Sequence, residues 1–222
     1  YADNYAIRCS ELTTATSTTN YPAYAIDNNY INGYYNGIYT SHTYRAVIDD
    51  NEVHMLPDNT LGHVQVGIGI TDTDESDVNN NTVDMPNGTT SSWWHNALFT
   101  ENSSEPEIHC NSTNYIGTAL LAKQNNYTVP GFGIYSNTFQ NADIGVWLNS
   151  SGEIGDQYYN TTTYSADNQW VSCNSDTHVS SGNTSNASFY TRNAYPYVST
   201  VAGGTNPLNG IVATGGGPGA CA

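Results

Sequence analysis

Apolar residues alternate with polar or small ones along much of the chain. Val64, Val66, Ile68 and Ile70 alternate with His63, Gln65, Gly67 and Gly69, a period of two that predicts a strand with one face buried. Ile116, Thr118, Leu120 and Ala122 repeat the pattern. So do Ile144, Val146 and Leu148, which run into a turn at Asn149-Ser150-Ser151-Gly152. Trp170 to Cys173, Phe189 to Thr191 and Ile211 to Ala213 read as further strands. No segment sustains a helical apolar period. The best helical candidate is Ser91 to Phe99, where a serine can cap one or two turns. Turn residues recur about every ten positions, the spacing of an all-β protein. The expected fold is therefore an antiparallel β-sandwich or jelly-roll-like domain with little or no helix. No internal repeat at a fixed period and no domain boundary is evident, so residues 1–222 read as one domain.

Two end segments differ from the body. Residues 1–44 hold nine of the 18 tyrosines. Within them Asn32-Gly33 and Asn36-Gly37 lie so close that at most one can be a tight hairpin turn. Residues 201–222 form a Gly-rich tail.

Charge narrows the function. The 20 acidic residues outweigh 4 basic ones, for a net charge of −16. Nucleic-acid binding needs the basic surface that this chain lacks. No run of eighteen apolar residues offers a membrane-spanning helix, and no charged-then-apolar leader opens the chain, so a processed, exported protein is the expectation. Acceptors of the form Asn-x-Ser/Thr occur at Asn80, Asn87, Asn102, Asn111, Asn126, Asn149, Asn160, Asn183 and Asn186. Chance predicts about 3.6 over that span, so the excess points to N-linked glycans on an extracellular protein. Cys9, Cys110, Cys173 and Cys221 are widely spaced without a CxxC pair, which favours two disulfides in an exported chain. Cys9–Cys221 and Cys110–Cys173 are the preferred pairs, with bonds between subunits as the alternative.

Candidate chemistry is sparse. Asp72, Asp74 and Asp77 invite a calcium reading, with Asp49, Asp50 and Glu52 as further oxygen ligands. The run lacks the glycine and final glutamate of an EF-hand loop, so a solvated acidic loop is the plainer reading. His42, His54, His63, His95, His109 and His178 show no zinc-type spacing. Glu105, Glu107 and His109 fall on one face if extended, although Pro106 marks their strand as an edge. Trp93, Trp94, Trp147 and Trp170 are either sugar-stacking or core aromatics. No serine nucleophile elbow and no phosphate-cradling glycine loop is present, so no catalytic residue is assigned. The reading that joins these observations is an exported, N-glycosylated structural subunit of an extracellular filament, sheath or surface layer. It would self-associate through residues 1–44, where acceptors are absent, by edge pairing or strand exchange. The rival is a secreted carbohydrate-active protein, either a lectin-like module or a glycoside hydrolase.

Overall fold

The computed structural model describes residues 5–10, 24–56, 64–86, 94–126, 133–154, 157, 166–179, 188–191, 209–212 and 221. Among them there is no helix, and every paired strand runs parallel to its neighbours. Sheet A stacks β1 (Tyr5–Ser10), β4 (Asn36–Ser41), β7 (Gln65–Thr71), β10 (His95–Glu101), β13 (Thr118–Asn125), β16 (Ile144–Glu153) and β18 (Ser175–Val179) in that order. Sheet B stacks β2 (Tyr24–Asp27), β5 (Ala46–Asp49), β8 (Asp77–Asn79), β11 (Glu107–His109) and β14 (Gly133–Tyr135). Sheet C stacks β3 (Tyr30–Tyr34), β6 (Glu52–Met55), β9 (Thr82–Asp84), β12 (Ser112–Asn114), β15 (Thr138–Gln140) and β17 (Gln169–Val171). Two more strands, β19 (Ser188–Thr191) and β20 (Asn209–Val212), pair with each other. The first five coils each give one strand to each sheet, the sixth gives β16 and β17, and each coil lies against the one before it in register. This is a β-solenoid, and it overturns the antiparallel sandwich expected from the alternation.

The expected lack of an internal repeat is corrected with it. Gly37, Ile38, Thr43, Asn51, Val53 and Met55 recur thirty positions later as Gly67, Ile68, Thr73, Asn81, Val83 and Met85. The proposed helix is also replaced: His95–Glu101 is a strand, while residues 91–93 lie outside the described residues. Strand β11 is not an edge, since β8 and β14 flank it and Pro106 sits just before it. Neither Asn-Gly pair makes a hairpin. Gly33 takes a positive φ of 86° at a register shift in β3, and Asn36 opens β4.

The interior is a column of apolar side chains drawn from all three sheets. Ile38, Ile68, Leu98, Leu120 and Val146 come from sheet A; Ile26, Ile48, Val78, Ile108 and Ile134 from sheet B; Ile31, Val53, Val83, Phe139 and Trp170 from sheet C. Each such burial contributes about 1.5–3 kcal/mol. The coil closes tightly at Gly37, where a Cβ would meet the Gly67 carbonyl at 2.4 Å and Val53 Cγ1 at 2.6 Å. A second cluster of Val66, Phe99, Leu121 and Trp147 packs with Tyr39 and Ile144 on sheet A, so β7 and β10 are buried along nearly their whole length.

Polar side chains hold the turn from sheet B to sheet C. Asn29, Asn51, Asn81, Asn111, Asn137 and Asn168 form a ladder with rungs 22, 30, 30, 26 and 31 residues apart. Each rung's backbone N–H donates to the next rung's Oδ1 at 3.0–3.1 Å. Nδ2 of each inner rung donates back to a carbonyl of the previous coil, as Asn81 does to Ile48 at 2.8 Å. The residue before every rung (Asn28, Asp50, Asn80, Cys110, Ser136 and Asp167) has φ between 51° and 56°. This left-handed step turns the chain, and Asn and Asp tolerate it better than most residues. A shorter ladder of Thr73, Ser103 and Asn126 serves the turn from sheet A to sheet B.

The disulfide pairing differs from expectation. Cys110, at its left-handed corner, bonds Cys221, with Cα atoms 5.5 Å apart and 111 residues between them. Neither preferred pair forms, because Cys9 sits on β1 in sheet A, whereas Cys110 and Cys173 occupy turns in different coils. Cys173 Sγ instead lies 3.3 Å from the Phe139 carbonyl. A cross-link over so long a loop stabilises by roughly 4–5 kcal/mol in the chain-entropy model.

Candidate functional site

Period-two alternation sends every second side chain of sheets B and C outward, and the parallel register stacks them into rows. On sheet C, His54 faces Asp84 across neighbouring strands and Glu52 along its own. His54 Nδ1 lies 2.5 Å from Asp84 Oδ1, and Nε2 lies 2.7 Å from Glu52 Oε1. Burial alone would lower the imidazole's pKa; the hydrogen bonds to Asp84 and Glu52 outweigh it and hold His54 above its ordinary value. The Tyr30 ring sits 5.2 Å from the His54 ring, and Asn32 Nδ2 donates to the Tyr30 hydroxyl at 3.3 Å. These groups, with Met85, Pro86, Asn114 and Tyr115, line an open cleft of about 450 Å³. A mixed wall of tyrosine rings, amides and a carboxylate suits a ligand with both hydroxyls and apolar faces.

On sheet B the outward rows are acidic. Asp27 aligns with Asp49, and Asp49 with Asn79. The carboxylates of Asp27, Asp49 and Asp50 have oxygens within 4.8 Å of one another. Desolvation, then repulsion from Asp50, raises the Asp49 pKa, and its Oδ1 is buried without a hydrogen-bond partner. Further along the same face, Asp77, Glu107 and His109 bring one ligand-type atom each within 4.8 Å.

The proposed site residues scatter over this frame. Asp72 accepts from Asn102 Nδ2 at 2.6 Å and faces His42 at 3.6 Å, at the corner after β7. Asp74 is bridged to Tyr44 and Ser104. Only Asp77 of the calcium trio reaches the sheet B face, and its neighbours come from the next coil, not from its own loop. Asp49 and Asp50 join Asp27 instead, and Glu52 lies on sheet C. Of the histidines, His95 is fully buried, His42, His54 and His109 pair with carboxylates, and His63 lies outside the described residues. Trp147 and Trp170 are buried in the packing clusters, away from the cleft.

The nine glycan acceptors divide by environment. Asn102 is exposed, and Asn80 and Asn149 are half-buried. Asn111 and Asn126 are 1% and 0% exposed, with Nδ2 donating within the ladders. Asn87, Asn160, Asn183 and Asn186 lie outside the described residues. Turn sequences place asparagine beside Ser and Thr for backbone reasons, as in Asn80-Asn81-Thr82 and Asn111-Ser112-Thr113, so the acceptor excess partly reflects the fold. The cleft around His54 was missed in the sequence because its members come from four coils. Only the thirty-residue offset from His54 to Asp84 would have joined them. The chain matches no protein-family model, no curated protein and no solved structure.

Proposed function

We propose that the chain is an exported, N-glycosylated structural subunit whose solenoids stack end to end in an extracellular filament, sheath or surface layer. The observation that carries this reading is the open end formed within residues 1–44. The outer edges of β1, β2 and β3 pair with no other strand among the described residues. Unpaired edges template the addition of further strands. Tyr30 and Tyr34, 64% and 45% exposed, stand beside that edge. At the other end of the described sheets the outermost strands, β18, β14 and β17, run in the same parallel sense, so a second copy is the complementary occupant. Asn80, Asn102 and Asn149 remain as acceptors among the described residues; buried Asn111 and Asn126 are excluded from the glycan set. The change Tyr34→Thr creates an acceptor at exposed Asn32 on β3. Secreted subunits carrying that sugar should fold and stay monomeric in sedimentation and micrographs, while the parent forms polymers. Normal polymers with a sugar confirmed on Asn32 would sink the proposal.

A second reading is a secreted carbohydrate-binding module, favoured by the cleft between Tyr30 and Tyr115. Saturable binding of soluble oligosaccharides by a monomeric parent protein, lost in Asp84→Asn, would favour it over assembly.

A further inference from the structure

We propose that Asp77, Glu107 and His109 bind one divalent transition-metal ion of the zinc class on the outer face of sheet B. Parallel register puts Glu107 directly opposite Asp77, and His109, two residues on, returns to the same face. His109 Nε2 already lies 2.9 Å from Asp77 Oδ1. One atom from each residue falls within 4.8 Å of the others. Ligands held about 2.1 Å from zinc in a tetrahedron stand roughly 3.4 Å apart, so small side-chain rotations complete the set.

The supports around the three side chains resemble those that orient metal ligands. The His109 ring stacks on Tyr135 with centroids 4.6 Å apart and planes 12° apart. Its side chain is only 15% exposed. The Tyr135 hydroxyl donates to Glu107 Oε2 at 3.3 Å, fixing the second carboxylate. An independent observation is the charge arrangement. Two carboxylates directly opposite on neighbouring strands repel. Beside them His109 pairs with Asp77 at 2.9 Å, while the basic side chains described elsewhere are engaged otherwise: Arg45 binds Glu75, Arg8 lies over Tyr5, and Lys123 lies over Phe99. A cation between the strands removes that repulsion and ties one coil to the next. The imidazole selects the ion, since calcium and magnesium prefer oxygen alone, whereas zinc takes nitrogen and carboxylate together. Three protein ligands leave a fourth position for water.

The test is zinc chloride titrated by calorimetry into the full chain after chelator treatment. One zinc per chain is expected, weakened at least ten-fold in both His109→Gln and Glu107→Gln and unchanged in His54→Gln. Circular dichroism confirms that each variant keeps the parent's strand signal; where His109→Gln loses it, Glu107→Gln decides alone. Zinc binding that survives both changes overturns the proposal. So does the absence of saturable zinc binding, or calcium binding of equal affinity lost in the same variants.

Discussion

His109 and Asn111 are polar, two residues apart, and aligned with equivalent positions in the coils on either side. Yet they do opposite work. Asn111 is 1% exposed, and each of its hydrogen-bonding atoms meets a backbone group or another rung. His109 faces outward, and its partners are charged side chains and a stacked ring. The left-handed step at Cys110 separates them, turning the chain from the face of sheet B into the corner. In a stacked fold, then, a repeated polar side chain is structural where the turn points it inward and free for chemistry where the strand points it outward. The two classes should fail differently when altered.

The largest effect belongs to the buried class. Asn81 accepts from the backbone N–H and Nδ2 of Asn51 and donates to Ile48, Asn79 and Asn111. Asn81→Ala leaves the Asn51 N–H and the Ile48 carbonyl buried without partners. At about 1–3 kcal/mol for each stranded group, the loss should be roughly 2–5 kcal/mol in urea unfolding. Asn29→Ala, at the half-buried terminal rung, should cost less than about 1 kcal/mol. Equal losses at both positions would mean that the ladder does not work by burial.

The same contrast explains what was legible in the sequence. Strand positions were, because inward Ile68 and Ile70 alternate with smaller residues whatever the neighbouring strands do. Strand direction was not. The clearest alternation came from β7 of sheet A, where Gln65, Gly67 and Gly69 between the apolar residues imitate the polar face of an antiparallel strand, although β7 is buried along nearly its whole length. The decisive signal was present in another form. Ile26-Asp-Asn-Asn29-Tyr-Ile31, Ile48-Asp-Asp-Asn51-Glu-Val53, Val78-Asn-Asn-Asn81-Thr-Val83 and Ile134-Tyr-Ser-Asn137-Thr-Phe139 share one spacing of apolar, asparagine and apolar. Coils of 22, 30, 26 and 31 residues hide that motif from a search for a fixed period. The outward groups carry no local signal, since Asp77 meets His109 across 32 positions only once the register is known.

A smaller, pH-dependent effect belongs to the outward class. His54 has its pKa raised in the folded chain, because the bonds to Asp84 and Glu52 outweigh its burial. Its contribution is fully present below the unfolded value of about 6.5 and is lost as pH rises through the higher folded value. Thermal unfolding followed from pH 6 upward should show a falling midpoint in the parent and a flatter profile in His54→Gln. The difference should stay within about 1 kcal/mol for a pair so near the surface. Parallel profiles would remove His54 from the account.

The smallest effect tests whether an outward polar residue can be tuned without harm. Asp49 Oδ1 is buried without a partner, and desolvation, then Asp50, Asp27 and Asp77, disfavours its charge. The folded pKa is therefore above the unfolded one, so the charged group destabilises at neutral pH and the penalty fades as pH falls through the folded value. The next coil carries Asn79 in the same row, which shows that an amide fits there. Asp49→Asn should raise stability at neutral pH by less than about 1 kcal/mol, with the gain shrinking on acidification. An Asn ladder rung such as Asn81 changed to Asp would do the reverse, since its Nδ2 donors have carbonyls waiting for them. If Asp49→Asn lowered stability at neutral pH, the carboxylate would have a favourable partner in solution, and the acidic row on sheet B would be a cation-holding surface along its whole length.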